Sequence, residues 1–160
     1  MWNNVITIVS FLMSLISFCS LAIRHSIRIR CELLDWRYVK DTGIIQCFFH
    51  VENNSMLPLS VNGISFFHEE TSYPCELTVK SVHTTPQGRT WPTSDLPAYL
   101  AEGQAYTLLL EFLHAEDISL APGRTIDVVI CTNRRSLRRS LSIPRQGRCL
   151  RTLIHEDIES

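Results

Sequence analysis

The sequence predicts an all-β protein, an antiparallel β-sandwich of about seven strands preceded by one N-terminal transmembrane helix. Three observations lead there. Val5–Ile23 is a nineteen-residue run without a charge. Beyond it, short stretches of alternating or continuous apolar residues recur, each bounded by Gly, Pro, Asn or Ser. Outside the apolar run there is no amphipathic helical pattern of normal length. The chain divides into a short tail (1–4), the helix (5–23), the sandwich (24–145) and a C-terminal tail (146–160).

At 1.5 Å per residue the run spans about 28 Å, close to the roughly 30 Å hydrocarbon core of a bilayer. Its polar residues are hydroxyls only, and a helix satisfies every backbone group internally, as lipid requires. A cleaved signal peptide would carry a basic leader and a small-residue cleavage site. The leader here is Met1-Trp2-Asn3-Asn4, and no Ala-x-Ala follows. Basic residues flank only the C-terminal side: Arg24, Arg28, Arg30, Arg37 and Lys40. The positive-inside rule then keeps the folded domain in the cytoplasm of a single-pass protein of the cell membrane. A translocated domain is the alternative. Thr7, Ser10, Ser14 and Ser17 follow a 3-4-3 spacing, which places them on one helix face. They form either a packing stripe for another membrane helix or hydroxyls bonded back to their own helix.

The first strand is expected over Ser26–Trp36, with Ile27, Ile29, Cys31 and Leu33 inward and Arg28, Arg30 and Glu32 outward. Lys40–Gly43 is a turn and Ile44–Val51 the second strand. Glu52–Pro58 is a polar loop. Leu59–His68 is the third strand, with Asn62-Gly63 marking a bulge or bend. Glu76–Thr84 is expected as the fourth strand, with Leu77 and Val79 on one face. Thr85–Pro97 is a long irregular loop. Ala105–Leu113 is a strongly apolar strand, and Thr125–Thr132 with Leu137–Pro144 makes a closing hairpin. Strands in this number and spacing point to an Ig-like antiparallel sandwich.

Three stretches carry a family resemblance. Phe49-His50-Val51-Glu52-Asn53-Asn54-Ser55-Met56-Leu57-Pro58-Leu59-Ser60-Val61 resembles the strand–loop–strand of membrane-anchored Ig-like or LEA2-like sandwich proteins. Leu96–Gln104 resembles their approach to the next core strand, and Cys131-Thr132-Asn133 through Ile143-Pro144 their closing hairpin. The order of anchor and domain fits small bacterial or phage membrane proteins. The resemblance covers residues 27–145 and rests on turn chemistry. It implies a non-enzymatic sandwich and supplies no functional residues.

The six cysteines include no C-x-x-C pair, and those in strand patterns read as small buried hydrophobes. Cys47 and His50 have zinc-ligand chemistry, but residues three apart on a strand face opposite ways. His68-Glu69-Glu70, and His114 with Glu116 and Asp117, read as solvated loops. Asn53-Asn54-Ser55 is a formal glycosylation acceptor and otherwise a polar turn. No P-loop, dinucleotide fingerprint or nucleophile elbow occurs. The expectation is no enzyme, no metal and no cofactor. A net charge of −1 argues against nucleic acid as a partner.

Val128–His155 holds seven arginines and no acid. Arg134, Arg135, Arg138 and Arg145 are the candidates for contact with anionic lipid or an acidic protein partner; the alternative is an ordinary solvated edge hairpin whose charge discourages edge-to-edge aggregation. Trp91 marks either a candidate binding loop or a plug tucked into the sandwich. The expected function is a membrane-anchored, non-enzymatic interaction or accessory module at the bilayer surface. The alternative is an extracytoplasmic ligand- or surface-binding module of the same fold.

Overall fold

The protein was analysed as a computed structural model, which describes residues 2–39, 42–84, 90–114 and 118–145; the C-terminal tail expected at 146–160 lies outside them. Helix α1 spans Trp2–His25. Ten strands follow: β1 (Ile29–Val39), β2 (Ile44–Asn53), β3 (Leu59–His68), β4 (Thr71–Pro74), β5 (Ser81–Thr84), β6 (Thr90–Pro92), β7 (Ala98–Leu100), β8 (Ala105–Phe112), β9 (Thr125–Thr132) and β10 (Ser136–Ser142).

Eight strands form two antiparallel sheets. One has the order β1-β2-β8; the other is β10-β9-β3-β4, with β7 paired to the start of β3. The sheets meet through a dry core. Phe49 and Phe112 of the first sheet enclose Phe66 of the second, with ring centroids 4.3 Å (Phe66–Phe112) and 6.0 Å (Phe49–Phe66) apart. The alternation read in β1 holds: Ile27, Ile29, Cys31 and Leu33 are buried while Arg28, Arg30 and Glu32 are exposed. A bulge between Leu33 and Asp35 then resets the register, and β1 continues past Trp36 to Val39. The bend at Asn62-Gly63 is a register shift between Val61 and Gly63 against β9. Leu108 to Phe112 of β8 are buried on both faces, whereas Ala105 to Thr107 are exposed.

The sandwich is closed along both seams. At β1–β10, Trp36 Nε1 donates to the Pro144 carbonyl at 3.3 Å. Along the outer edge of β8, Ser94 N donates to the Leu109 carbonyl and Glu76 N to the Glu111 carbonyl, each at 2.8 Å.

Two expectations need correction. Glu76–Thr84 is not one strand. Leu77 stays 56% exposed, and only Ser81–Thr84 is extended, paired with β6 in a separate two-stranded ribbon. An alternating pattern needs a partner edge, and the free edge of β3 is taken by Thr71–Pro74. Nor is the stretch up to Pro97 wholly irregular, since it contributes β6. As to the anchor, a helix stands where residues 5–23 predict one, but among the described residues no helix is long and apolar enough to cross a membrane. Side chains of α1 are described from Ile6 to Ala22, about 25 Å of helix against a core of roughly 30 Å.

Candidate functional site

Chain entry defines one end of the sandwich, where β1, β3 and β8 begin and where β2 and β9 finish. Ser26–Arg28 alone connect α1 to β1. A buried knot holds this helix-side rim. Asn53 is fully buried, and its Nδ2 donates to the carbonyls of Leu57 (3.1 Å), Leu100 (3.2 Å) and Ala101 (3.1 Å). Its Oδ1 accepts from Ser55 N at 3.0 Å. Ser55 passes the grip on to the linker: Arg28 N donates to Ser55 Oγ at 2.8 Å, and Asn54 N donates to the Arg28 carbonyl at 2.8 Å. The first asparagine of the glycosylation-type triplet is therefore a structural residue inside the fold. The polar-turn reading is the one its geometry satisfies.

The β9–β10 turn reaches the same rim. Thr132 Oγ1 donates to the Arg135 carbonyl at 2.7 Å and accepts from Arg134 N and Arg135 N, at 3.2 and 3.1 Å. Asn133 Oδ1 accepts from Ser60 N at 3.1 Å. Arg135 Nη2 donates to the Ile27 carbonyl at 3.4 Å. Arg134 is half-buried, and its Nη1 has no hydrogen-bond partner among the described residues. Among the described residues no carboxylate pairs with Arg134, Arg135 or Arg28.

The four candidate arginines do not form one patch. Arg138 lies on the outer face of the second sheet, opposite Val129. It binds Asp127 Oδ2 at 2.7 Å and stacks over the Phe67 ring, 4.1 Å from its centroid. The Ser140 hydroxyl and then Arg138 hold the Asp127 carboxyl below its ordinary range. Arg145 lies beyond Ser142 at the opposite end, a strand length of about 20 Å away. The register decides this separation, and residue composition could not show it.

That far end carries an open cleft of about 560 Å³, lined by Phe67, His68, Glu69, Glu70, Arg124 and Asp127 among others. Glu69 and Glu70 form the β3–β4 turn with φ of 44° and 69°. A tight hairpin turn of that hand favours Asn-Gly, so the sequence carried little signal for it. Charges of both signs share the cleft, and it selects no ligand class.

The remaining candidates separate in space. Cys47 is buried in the core while His50 is half-buried on the other face of β2. Burial pushes the Cys31 thiol up to about 12 and raises Cys47 and Cys75 as well, the reverse of what a nucleophile needs. Among the described residues no group of three His, Cys, Asp or Glu could hold a metal. His114 is exposed with φ 52°, and Glu116 and Asp117 lie outside the described residues. Trp91 sits in β6 opposite His83, and its side chain lies outside the described part. In α1, Thr7, Ser10, Ser14 and Ser17 are all exposed, and Ser17 Oγ donates to the Met13 carbonyl at 2.9 Å.

Sequence reasoning missed Arg28 and Met56 as members of the rim. Met56 is 53% exposed on the loop that grips Arg28. An apolar residue inside an Asn/Ser loop was the available signal.

No family model matches the chain, and no curated protein does. Among solved structures it is similar to a solution structure of a candidate late embryogenesis abundant (LEA) protein. The match is 14% identical and covers 89% of this chain and 86% of that one, with a TM-score of 0.26. That score is too low to equate the two folds.

Proposed function

We propose that the chain is a single-pass, membrane-anchored accessory module, non-enzymatic, with an Ig-like sandwich held against the cytoplasmic face of the bilayer. One observation carries the reading. Ten large apolar side chains of α1, from Ile6 to Leu21, are 46–69% exposed. At about 100° per residue they surround the helix with no gap wider than about 60°. A surface helix would have a polar face to turn to water. This one has only five hydroxyls, spread over an arc of about 140° that also holds Ile6, Met13 and Leu21. Removing the exposed apolar area from water is worth on the order of 10 kcal/mol. The full helix is 24 residues, or about 36 Å, long enough for the hydrocarbon core with its ends in the interface.

Arg24 at the end of the helix and Arg28 and Arg30 after it favour the cytoplasmic side. Buried single thiols at Cys31, Cys47 and Cys75 fit a reducing compartment. The absence of a nucleophile-activating environment around them favours interaction over catalysis. The partner is a membrane protein or a cytosolic protein that meets the sandwich at the bilayer.

The test is topology. With Cys19 replaced by Ser and one cysteine introduced at exposed Ser119, a membrane-impermeant maleimide is applied to intact and then to permeabilised cells. Labelling only after permeabilisation supports the reading. Labelling of intact cells rejects the cytoplasmic placement and favours the extracytoplasmic binding module.

A further inference from the structure

The rim is polarised, and its polarity points to a ligand. Arg28, Arg134 and Arg135 gather where β1 meets β10, tied together by the Arg135–Ile27 contact. Met56, 53% exposed, follows Ser55 in the loop that grips Arg28. Exposed Glu102 sits on the opposite seam, in the turn between β7 and β8, near Tyr99 and Tyr106. Half-buried Glu52, paired with Arg30 across β1–β2, lies between the two seams. Two exposed arginines elsewhere have carboxylate partners, Arg30 with Glu32 at 2.7 Å and Arg138 with Asp127 at 2.7 Å. The rim guanidiniums have none among the described residues.

We infer that the β1–β10 side of this rim docks on an anionic lipid surface, with Arg28, Arg134 and Arg135 taking headgroup phosphates and Met56 entering the interface. The inference rests on the anchor reading and deepens it, since it fixes which side of the sandwich leans on the bilayer. Distance favours it. Three linker residues reach at most about 10 Å, comparable to the Debye length of about 8–10 Å at 0.1–0.15 M salt. Geometry favours it too. The arginines stand on a turn closed by four hydrogen bonds through Thr132 and Arg135, so little order remains to be imposed on binding. A planar guanidinium matches phosphate by paired hydrogen bonds. Each well-placed basic residue increases residence at an anionic surface by roughly fivefold. Arg138 and Arg145 take no part, the first because it is paired and the second because it lies at the far end.

The experiment is amide hydrogen exchange on the full chain in nanodiscs of phosphatidylcholine alone and of phosphatidylcholine with phosphatidylserine. Incorporation into both discs, read by size exclusion, reports on the anchor. Slower exchange of segments 54–57 and 132–136 in the anionic discs reports on docking. The expected result is a slowing of roughly fivefold or more, absent from the 101–104 turn and lost at 0.5 M salt. Arg134→Gln with Arg135→Gln abolishes it, and Arg145→Gln leaves it intact. The salt arm uses the unmodified chain, so a variant that fails to fold does not decide the matter. Incorporation with equal rim exchange in both discs overturns docking and leaves the anchor standing. Slowing that survives the double substitution and salt also overturns it. A chain that enters neither disc overturns both readings.

Discussion

Asn53 is the position where a single amide group carries the most structure. Its two N–H donors serve three carbonyls, and its oxygen caps Ser55 N. Its backbone joins the same knot: Asn53 N donates to the Gln104 carbonyl at 2.9 Å, and Gly103 N donates to the Asn53 carbonyl at 2.8 Å. Asn53→Ala removes all four side-chain bonds from a site with no solvent exposure. The bonds to Leu100 O and from Ser55 N are wholly buried, so each loss leaves an unsatisfied group costing about 1–3 kcal/mol. The carbonyls of Leu57 and Ala101 are only partly buried and can turn to water, at about 0.5 kcal/mol each. The expected loss is about 3–7 kcal/mol. Urea unfolding of the detergent-solubilised chain, followed by Trp fluorescence, reads it as a lower midpoint with an unchanged slope. Asn54→Ala is the matched control, because Asn54 is exposed and uses its backbone N–H here; it stays within about 0.5 kcal/mol. Asn53→Asp adds a sign test. A carboxyl facing three carbonyls can donate only when protonated, so its folded pKa lies above the unfolded value of about 3.9. That variant is closest to the parent below about pH 4 and loses ground as pH rises through the folded value. An Asn53→Ala midpoint equal to that of Asn54→Ala would refute the reasoning.

Three further outcomes are expected. Phe66→Ala opens the aromatic cluster between the sheets and costs about 3–5 kcal/mol in the same urea assay. Cys31 resists a thiol reagent at pH 8 in the native state, where a pKa pushed up to about 12 leaves roughly one thiolate in ten thousand, and reacts on unfolding; fast native labelling found by peptide mapping would contradict its burial. Asp127 has a depressed pKa, so its contribution is present above about pH 4 and fades as pH falls through the folded value. Asp127→Asn accordingly costs no more than about 1 kcal/mol at neutral pH and flattens the acid limb of the stability profile, since the Arg138 pair is largely exposed.

Legibility in the sequence followed the physics of each signal. Ile27, Ile29, Cys31 and Leu33 alternate, and a half-buried strand follows directly from that pattern. Leu77 and Val79 alternate too, yet they stay exposed, because periodicity says nothing about whether a neighbouring edge is free. β4 and β7 are four and three residues long, too short for an alternating pattern to announce them. The arginine hairpin was visible as composition. Its division into a tip, a paired mid-strand residue and a distant Arg145 depends on the pairing of β9 with β10. The buried role of Asn53 was the least visible of all, since Asn53-Asn54-Ser55 reads equally well as a surface loop.

The most direct test of the central claim is alkaline carbonate extraction of membranes from cells that make the full chain, followed by high salt. If α1 is the membrane anchor proposed above, the chain stays in the pellet through both washes, because the apolar surface of the helix is then held inside lipid. Replacing Leu12 and Ile16 by Arg should then move it to the supernatant, at a cost of roughly 3 kcal/mol per charge at the helix centre. Release of the unmodified chain by carbonate alone would contradict the account and leave α1 to be covered by another protein.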